Sequence, residues 1–223
     1  VDGEPPYEDI AVKFWDYCDW SNPKRVPDDV LDEAGLIKDR SHFREGFFTD
    51  YDIRVHAWWD LLSGACGYTY GNNAVWQMFK KGGSIAIPCL TDWRDALTRP
   101  GADDIQHIRK LLEARPFWKL VPCQAIIVGD NPPDSTHIRA ACAADNSFTL
   151  VYLSVGQPVI INLEQFTGEQ INAWWYNPGS GETIQIGIME NSATARFSPP
   201  SAGIGNDWLL VLDSVAANLK PLQ

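Results

Sequence analysis

The 223 residues carry a formal net charge of -11, with 45% hydrophobic and 21% charged positions, an ordinary globular balance with room for one large domain or two small ones. That charge argues against a nucleic-acid partner, which needs clustered Lys and Arg, and against an anionic membrane surface for the same reason. No apolar run approaches the ~20 residues of a membrane-spanning helix, and no basic-then-apolar leader opens the chain.

The chain begins "VDGEPPYED", in which Glu4 and Glu8 flank a Pro-Pro-Tyr turn. The stretch reads as the end of a strand delivering acids into a site. Glycoside cleavage needs two carboxyl groups across the scissile bond, about 5–5.5 Å apart in retaining enzymes. On spacing alone, solvated loop charges describe Glu4 and Glu8 better. Residues Asp9 to Tyr51 have weak periodicity and many turn-formers, and are read as short helices and loops.

In "DIRVHAWWDLLSGACG", Val55, Trp58, Trp59 and Leu62 fall at helical spacing, with Gly64 as the stop. A short strand, Ala65 to Thr69, is expected next. The loop "GYTYGNNAVWQ" then joins Tyr68, Tyr70, Asn72, Asn73 and Trp76. Aromatic faces beside amide donors and acceptors are what a sugar-binding wall requires, although the same aromatics could simply pack down. A further helix is expected from Asp103, with Ile105, Ile108, Leu111 and Leu112 as its apolar stripe and Arg115-Pro116 as its end.

Character changes at "GDNPPDST", residues 129–136, a linker or sharp crossing. Beyond it, "IRAACAAD", "FTLVYLS", "PVIINL", "INAWWYN", "ETIQIGI" and "DWLLVLDS" are strand-length runs separated by Gly, Pro and Asn turns, the pattern of an antiparallel sandwich. "DWLLVLDS" is apolar on both faces and belongs at the centre of a sheet. Trp174 and Trp175 fall on opposite faces of one strand. One is therefore core, and the other is exposed as a ligand platform or covered by the first domain. The expected fold is α/β plus all-β, with domains 1–130 and 131–223.

Other chemistries find little support. The five cysteines include no C-x-x-C pair, so buried free thiols are expected rather than a disulfide framework or zinc site. The four histidines are scattered, no residue is placed by sequence to activate Cys66, and neither a P-loop nor a G-x-S-x-G elbow occurs. No metal or organic cofactor is expected.

Three stretches, "GEPPYE", "AWWDLLSGACGYTYGNNAVWQ" and "DWRDALTRPGADDIQHIRKLLEARPFWKLVP", resemble in that order the C-terminal third of the apiosidase-like glycoside hydrolase catalytic domain, a (β/α)8-barrel family. "AWWYNPGSGE", "FSPP" and "DWLLVLD" resemble the small β-sandwich that follows it, a domain named for collagen binding. The resemblance implies the C-terminal portion of a (β/α)8 barrel followed by an antiparallel β-sandwich. Val1 to Glu4 would end the seventh barrel strand and Ala65 to Thr69 would be the eighth. On this expectation the chain is a C-terminal fragment, since such a barrel typically takes ~250 residues.

By the same resemblance Glu4 is the nucleophile and Glu8 a nearby orienting acid. Tyr7, Tyr68, Tyr70, Asn72, Asn73 and Trp76 contact substrate, Tyr68 standing where the family tends to have histidine. The acid/base on the fourth strand lies outside this chain. The implied partner is an oligosaccharide or complex, plant-type polysaccharide, and the implied location is secreted or periplasmic. The oligomeric state is not legible. A reading of another class is a non-catalytic carbohydrate- or protein-binding module centred on the sandwich, and a third makes the sandwich a structural brace.

Overall fold

The computed structural model describes residues 49–84, 86, 91–191 and 193–222. The chain divides into two compact units, one of residues 1–49 with 71–99 and the other of residues 50–70 with 100–223. In chain order the helices are α1 (Asp50–Leu62), α2 (Asn73–Trp76), α3 (Trp93–Ala96) and α4 (Pro100–Glu113). The strands are β1 (Leu120–Pro122), β2 (Ile127–Val128), β3 (Ile138–Ala143), β4 (Phe148–Leu153), β5 (Val159–Asn162), β6 (Gln170–Tyr176), β7 (Thr183–Glu190), β8 (Thr194–Phe197) and β9 (Trp208–Ser214).

The larger unit has a six-stranded sheet of order β1-β3-β4-β9-β6-β7 and a three-stranded sheet of order β2-β5-β8, with every pairing antiparallel. Alternation along the strands divides the large sheet into two faces. Ala140, Val151, Leu210, Ala173 and Trp175 join Ile161 and Phe197 of the small sheet in one continuous core. The opposite face carries Tyr152, Leu209, Val211 and Trp174, and it too is buried, because α1 and α4 cover it. Trp58 of α1 stacks on Tyr152 with ring centroids 6.2 Å apart. Trp59 Nε1 donates to the His137 carbonyl at 3.2 Å, and Tyr176 Oη donates to the His107 carbonyl of α4 at 2.8 Å.

Two-sided cover explains why "LLVLD" is apolar throughout. β9 lies in the sheet interior, between β4 and β6, and all of its residues are buried. It also accounts for both tryptophans: Trp175 is inter-sheet core and Trp174, at 8% exposure, is covered on the helix side. The loop after β6 follows α4 closely. Gly181 has φ +71° there, and a Cβ would stand 2.5 Å from His107 Nδ1, so this turn accepts only glycine.

Three expectations are corrected. Residues 65–70 belong to no strand, since an extended segment becomes one only when a neighbour supplies its ladder, and neither described sheet takes it up. Residues 120–128, expected on the first-domain side of a boundary at 130, supply β1 and β2 to the sandwich sheets. The crossing after them is pinned: Asn131 Oδ1 accepts from Ile138 N at 2.8 Å, and its Nδ2 donates to the Ile138 carbonyl at 2.9 Å, in place of a strand neighbour.

The third correction concerns the thiols. Cys123 and Cys142 form a disulfide, and Cys66 is exposed rather than buried. Antiparallel pairing of β1 with β3 sets Val121 opposite Cys142 and Pro122 opposite Ala141. Cys123 therefore arrives with its Cα 5.7 Å from that of Cys142, inside the range a disulfide requires. Reduction should cost about 3 kcal/mol for a loop of this length. The urea midpoint with and without reductant checks this, and an unchanged midpoint would show the bridge to be dispensable.

His56 on α1 lies edge-on to Trp59. Burial holds its pKa down at about 4, against an opposing pull from Asp52. The folded state therefore resists the proton that the unfolded chain takes up below its ordinary 6.5. Stability should be full above pH 6.5, fall as pH drops towards 4, and lose about 3 kcal/mol in all from this group. His56→Gln should flatten that part of the profile of melting temperature against pH. An identical slope in the variant would assign it elsewhere.

Candidate functional site

Glu4, Tyr7 and Glu8 lie outside the described residues. The other predicted site residues divide between the two units, with Tyr68 and Tyr70 in one and Asn72, Asn73 and Trp76 in the other.

In the smaller unit the sequence builds a compact turn. Asn72 caps α2, its Oδ1 accepting from Ala74 N at 3.0 Å and Val75 N at 3.4 Å. An Asn at this position satisfies amides that a four-residue helix leaves open. Ala74 of α2 packs on Ala96 of α3, with Val75 and Phe79 beside them. Trp93 N donates to the Phe79 carbonyl at 2.9 Å, and the Gln77 side chain accepts from Ala86 N at 2.8 Å. With its small side faced inward, α2 turns Trp76 outward at 72% exposure. Asn73 beside it is also exposed, its carbonyl receiving Gln77 Nε2 at 3.0 Å.

In the larger unit Tyr70 is half-buried at the start of α4. A Cβ on Gly101 would lie 3.3 Å from the Tyr70 ring and 3.2 Å from Asp50 Oδ1. Gly101 N donates to that same carboxylate at 3.0 Å. The glycine lets the tyrosine and the acid close on the helix end together. Tyr68 is half-buried as well.

The roles expected of these residues therefore separate. Trp76 presents an indole face with amide groups near it in sequence, which suits stacking on the C–H face of a sugar ring. Asn72 is committed to its helix cap through the oxygen, and Tyr70 to packing. No group of three or more His, Cys, Asp or Glu suited to a metal occurs among the described residues.

The larger unit also holds buried ion pairs. Arg54 of α1 donates from Nη1 to Asp104 at 2.7 Å and from Nη2 and Nε to Asp207 at 2.7 and 3.0 Å. Tyr152 Oη donates to Asp207 at 3.0 Å. Arg115, beyond α4, grips Asp213 through Nε and Nη2 at 2.9 and 2.6 Å. Burial raises the Asp104 and Asp213 carboxyls above their usual range, although Arg54 and Arg115 pull the other way. Burial opposes the charge on Arg54, but Asp207 and Asp104 outweigh it and raise its pKa. The two acids of "DWLLVLD" are thus fasteners for the helices. Sequence reasoning missed this because their partners lie 153 and 98 residues away.

Comparison with known families places residues 1–119 on the apiosidase-like catalytic domain and residues 121–213 on the domain described as "Putative collagen-binding domain of a collagenase". A solved structure titled a glycoside hydrolase superposes with a TM-score of 0.72 at 28% identity, covering 89% of this chain and 41% of its own. A glycoside hydrolase family 5 protein from Bacteroides vulgatus gives a TM-score of 0.73 at 26% identity, covering 88% and 40%. The chain thus spans about two fifths of the length of either structure. No curated protein matches significantly.

Proposed function

The chain belongs to the apiosidase-like family, and from that membership we propose that its residues complete the site of a retaining glycosidase acting on side chains of complex plant polysaccharides. The match of residues 1–119 to the family's catalytic domain carries this reading. Glycoside hydrolase structural neighbours support the reaction class.

In the proposal Glu4 attacks the anomeric carbon while a second carboxyl group protonates the leaving oxygen. That second group comes from the portion of the longer structures that this chain does not span. Water then hydrolyses the glycosyl-enzyme, with the acid acting as base. Glu8 orients the site and Tyr7 contacts the sugar. Trp76 stacks on a sugar ring and Asn73 contacts it, whereas Tyr70 packs at the start of α4. Asn72 acts by shaping the turn that displays Trp76. Maturation in an oxidising compartment forms part of the proposal, supported by the Cys123–Cys142 disulfide.

The test is hydrolysis of aryl glycosides and pectic oligosaccharides by the 223-residue chain beside a version extended N-terminally through the rest of a barrel. Activity should appear only in the extended protein, with retained anomeric configuration. Glu4→Gln in that protein should lower turnover on the order of 10³-fold or more, as removal of a covalent nucleophile does. Near-normal turnover in the variant would remove Glu4 from the role. Turnover by the short chain would overturn the proposed division of the acids.

A further inference from the structure

Beyond α4 the chain displays two aromatic rings that the sandwich does not use. Trp118 is 74% exposed and Phe117 48%. Their rings meet edge to face with centroids 5.7 Å apart at 75°. What sets them apart from singly exposed apolar side chains is that the two rings form one contiguous aromatic surface.

The support beneath them is rigid. Residues Phe117–Lys119 form one 3-10 turn, with Lys119 N donating to the Pro116 carbonyl at 2.9 Å. Just before it, Arg115 is buried and held bidentately by Asp213. Just after it the chain enters β1, and Ala144 N donates to the Lys119 carbonyl at 2.8 Å. The rings are thus presented on a backbone fixed from both sides, so little ordering entropy remains to be lost on binding.

Beside this turn lies a cleft of about 400 Å³, lined by Pro116, Lys119, Asp145, Ser147, Thr167 and Leu219 among others, a volume within the usual ligand-site range. Its polar groups are arranged in series. Lys119 Nζ reaches Asp145 Oδ2 at 2.5 Å, while Asp145 Oδ1 accepts from Ser147 Oγ at 2.6 Å and Ser147 N at 3.2 Å. An ammonium has three donors and only one is engaged with Asp145, so Lys119 can still donate to a hydroxyl. The Thr167 and Ser147 hydroxyls can each accept from one.

An exposed indole on a fixed backbone, with a polar cleft that Pro116 and Lys119 on either side of it line, matches a saccharide, which is apolar on its ring faces and hydroxylated at its rim. We infer that Trp118, with Phe117 and the Lys119–Asp145–Ser147–Thr167 cleft, forms a non-catalytic binding site for a neutral polysaccharide chain on the sandwich unit. The choice of ligand class rests on the glycoside hydrolase reading; the geometry of the site does not. Such a site would tether polymer to the chain and raise its effective concentration for the proposed reaction.

The test is affinity electrophoresis of the 223-residue chain through gels containing arabinan, arabinoxylan, xyloglucan or pectin, with Trp118→Ala, Lys119→Ala and Trp76→Ala alongside. At least one polymer should retard the wild-type chain. Trp118→Ala should weaken that retardation about tenfold, and Lys119→Ala should weaken it less. Trp76→Ala should weaken it less than Trp118→Ala does, and all variants should melt like the parent.

Retardation by no polymer would overturn the site, as would equal retardation of Trp118→Ala. Loss with Trp76→Ala alone would assign binding to the other unit. A wild-type chain that dimerises in sedimentation and becomes monomeric on Trp118→Ala would make the patch a contact between copies, and so overturn it as well. Hydrolysis by the extended protein is read separately, so failure of the catalytic proposal and failure of this one give different results.

Discussion

Replacing Arg54 with methionine should destabilise the larger unit by about 3–5 kcal/mol, the range for removing one partner from a buried ion pair. The guanidinium lies between Asp104 and Asp207, both nearly inaccessible to water. Its loss strands two carboxylates instead of one. Tyr152 still donates to Asp207, but a neutral hydrogen bond offsets only part of a buried charge. Urea denaturation of the parent and of Arg54→Met measures the difference. Adding Asp104→Asn and Asp207→Asn should restore much of it, because the cost resides in unpaired charge rather than lost volume. A single variant within 1 kcal/mol of the parent would mean that water reaches these acids.

The second large effect is expected at Asp213. Its carboxylate receives two hydrogen bonds from Arg115, whose Nη1 also donates to the carbonyls of Ala114 and Lys220. Asp213→Ala should cost about 3–5 kcal/mol, since it leaves a buried guanidinium without a counter-charge. It should also loosen the C-terminal tail, where Leu222 is buried. Limited proteolysis reads that second consequence, and faster cleavage after residue 214 is expected in the variant. Tail cleavage at the parental rate would show that Arg115 holds the tail without help from Asp213.

These two arginines also show where the sequence could be read and where it could not. α1 was legible because Val55, Trp58, Trp59 and Leu62 repeat at helical spacing and Gly64 stops them, a signal contained within sixteen residues. Strands β3, β4, β5, β6, β7 and β9 were legible because each alternates or runs apolar between turn-formers. β1, β2 and β8 were missed: at two to four residues they hold no more than two repeats of a strand's two-residue period. The disulfide was missed because an odd cysteine count carries no pairing information until strand register brings two of them together. α4 starts three residues before the expected Asp103, at Pro100, where a proline's fixed φ suits a first helical position.

The loop of proposed site residues was legible as an aromatic and amide-rich stretch, but not in which of its side chains are exposed. Trp76 kept the exposed role its composition suggested. Asn72 is held by the backbone it caps, a use of Asn as common as ligand binding and invisible without the helix start. Trp118 was passed over because "PFWK" follows a helix and reads as an ordinary stop. Its exposure follows from the 3-10 turn that carries it between α4 and β1.

The position of β9 has a consequence for how the molecule is made. Of the nine described strands this is the last to leave the ribosome, yet it lies in the interior of the large sheet, and it and the residue before it carry Asp213 and Asp207, the acids that hold Arg115 and Arg54. Arg54 precedes Asp207 by 153 residues. At about 5–20 residues per second, roughly ten to thirty seconds of synthesis pass between them. Throughout that interval α1 has an apolar stripe with no sheet to cover it, and β4 and β6 lack the strand that joins them. The nascent chain must therefore be kept from aggregating until β9 is free, because the large sheet is joined by the last of its strands to be made.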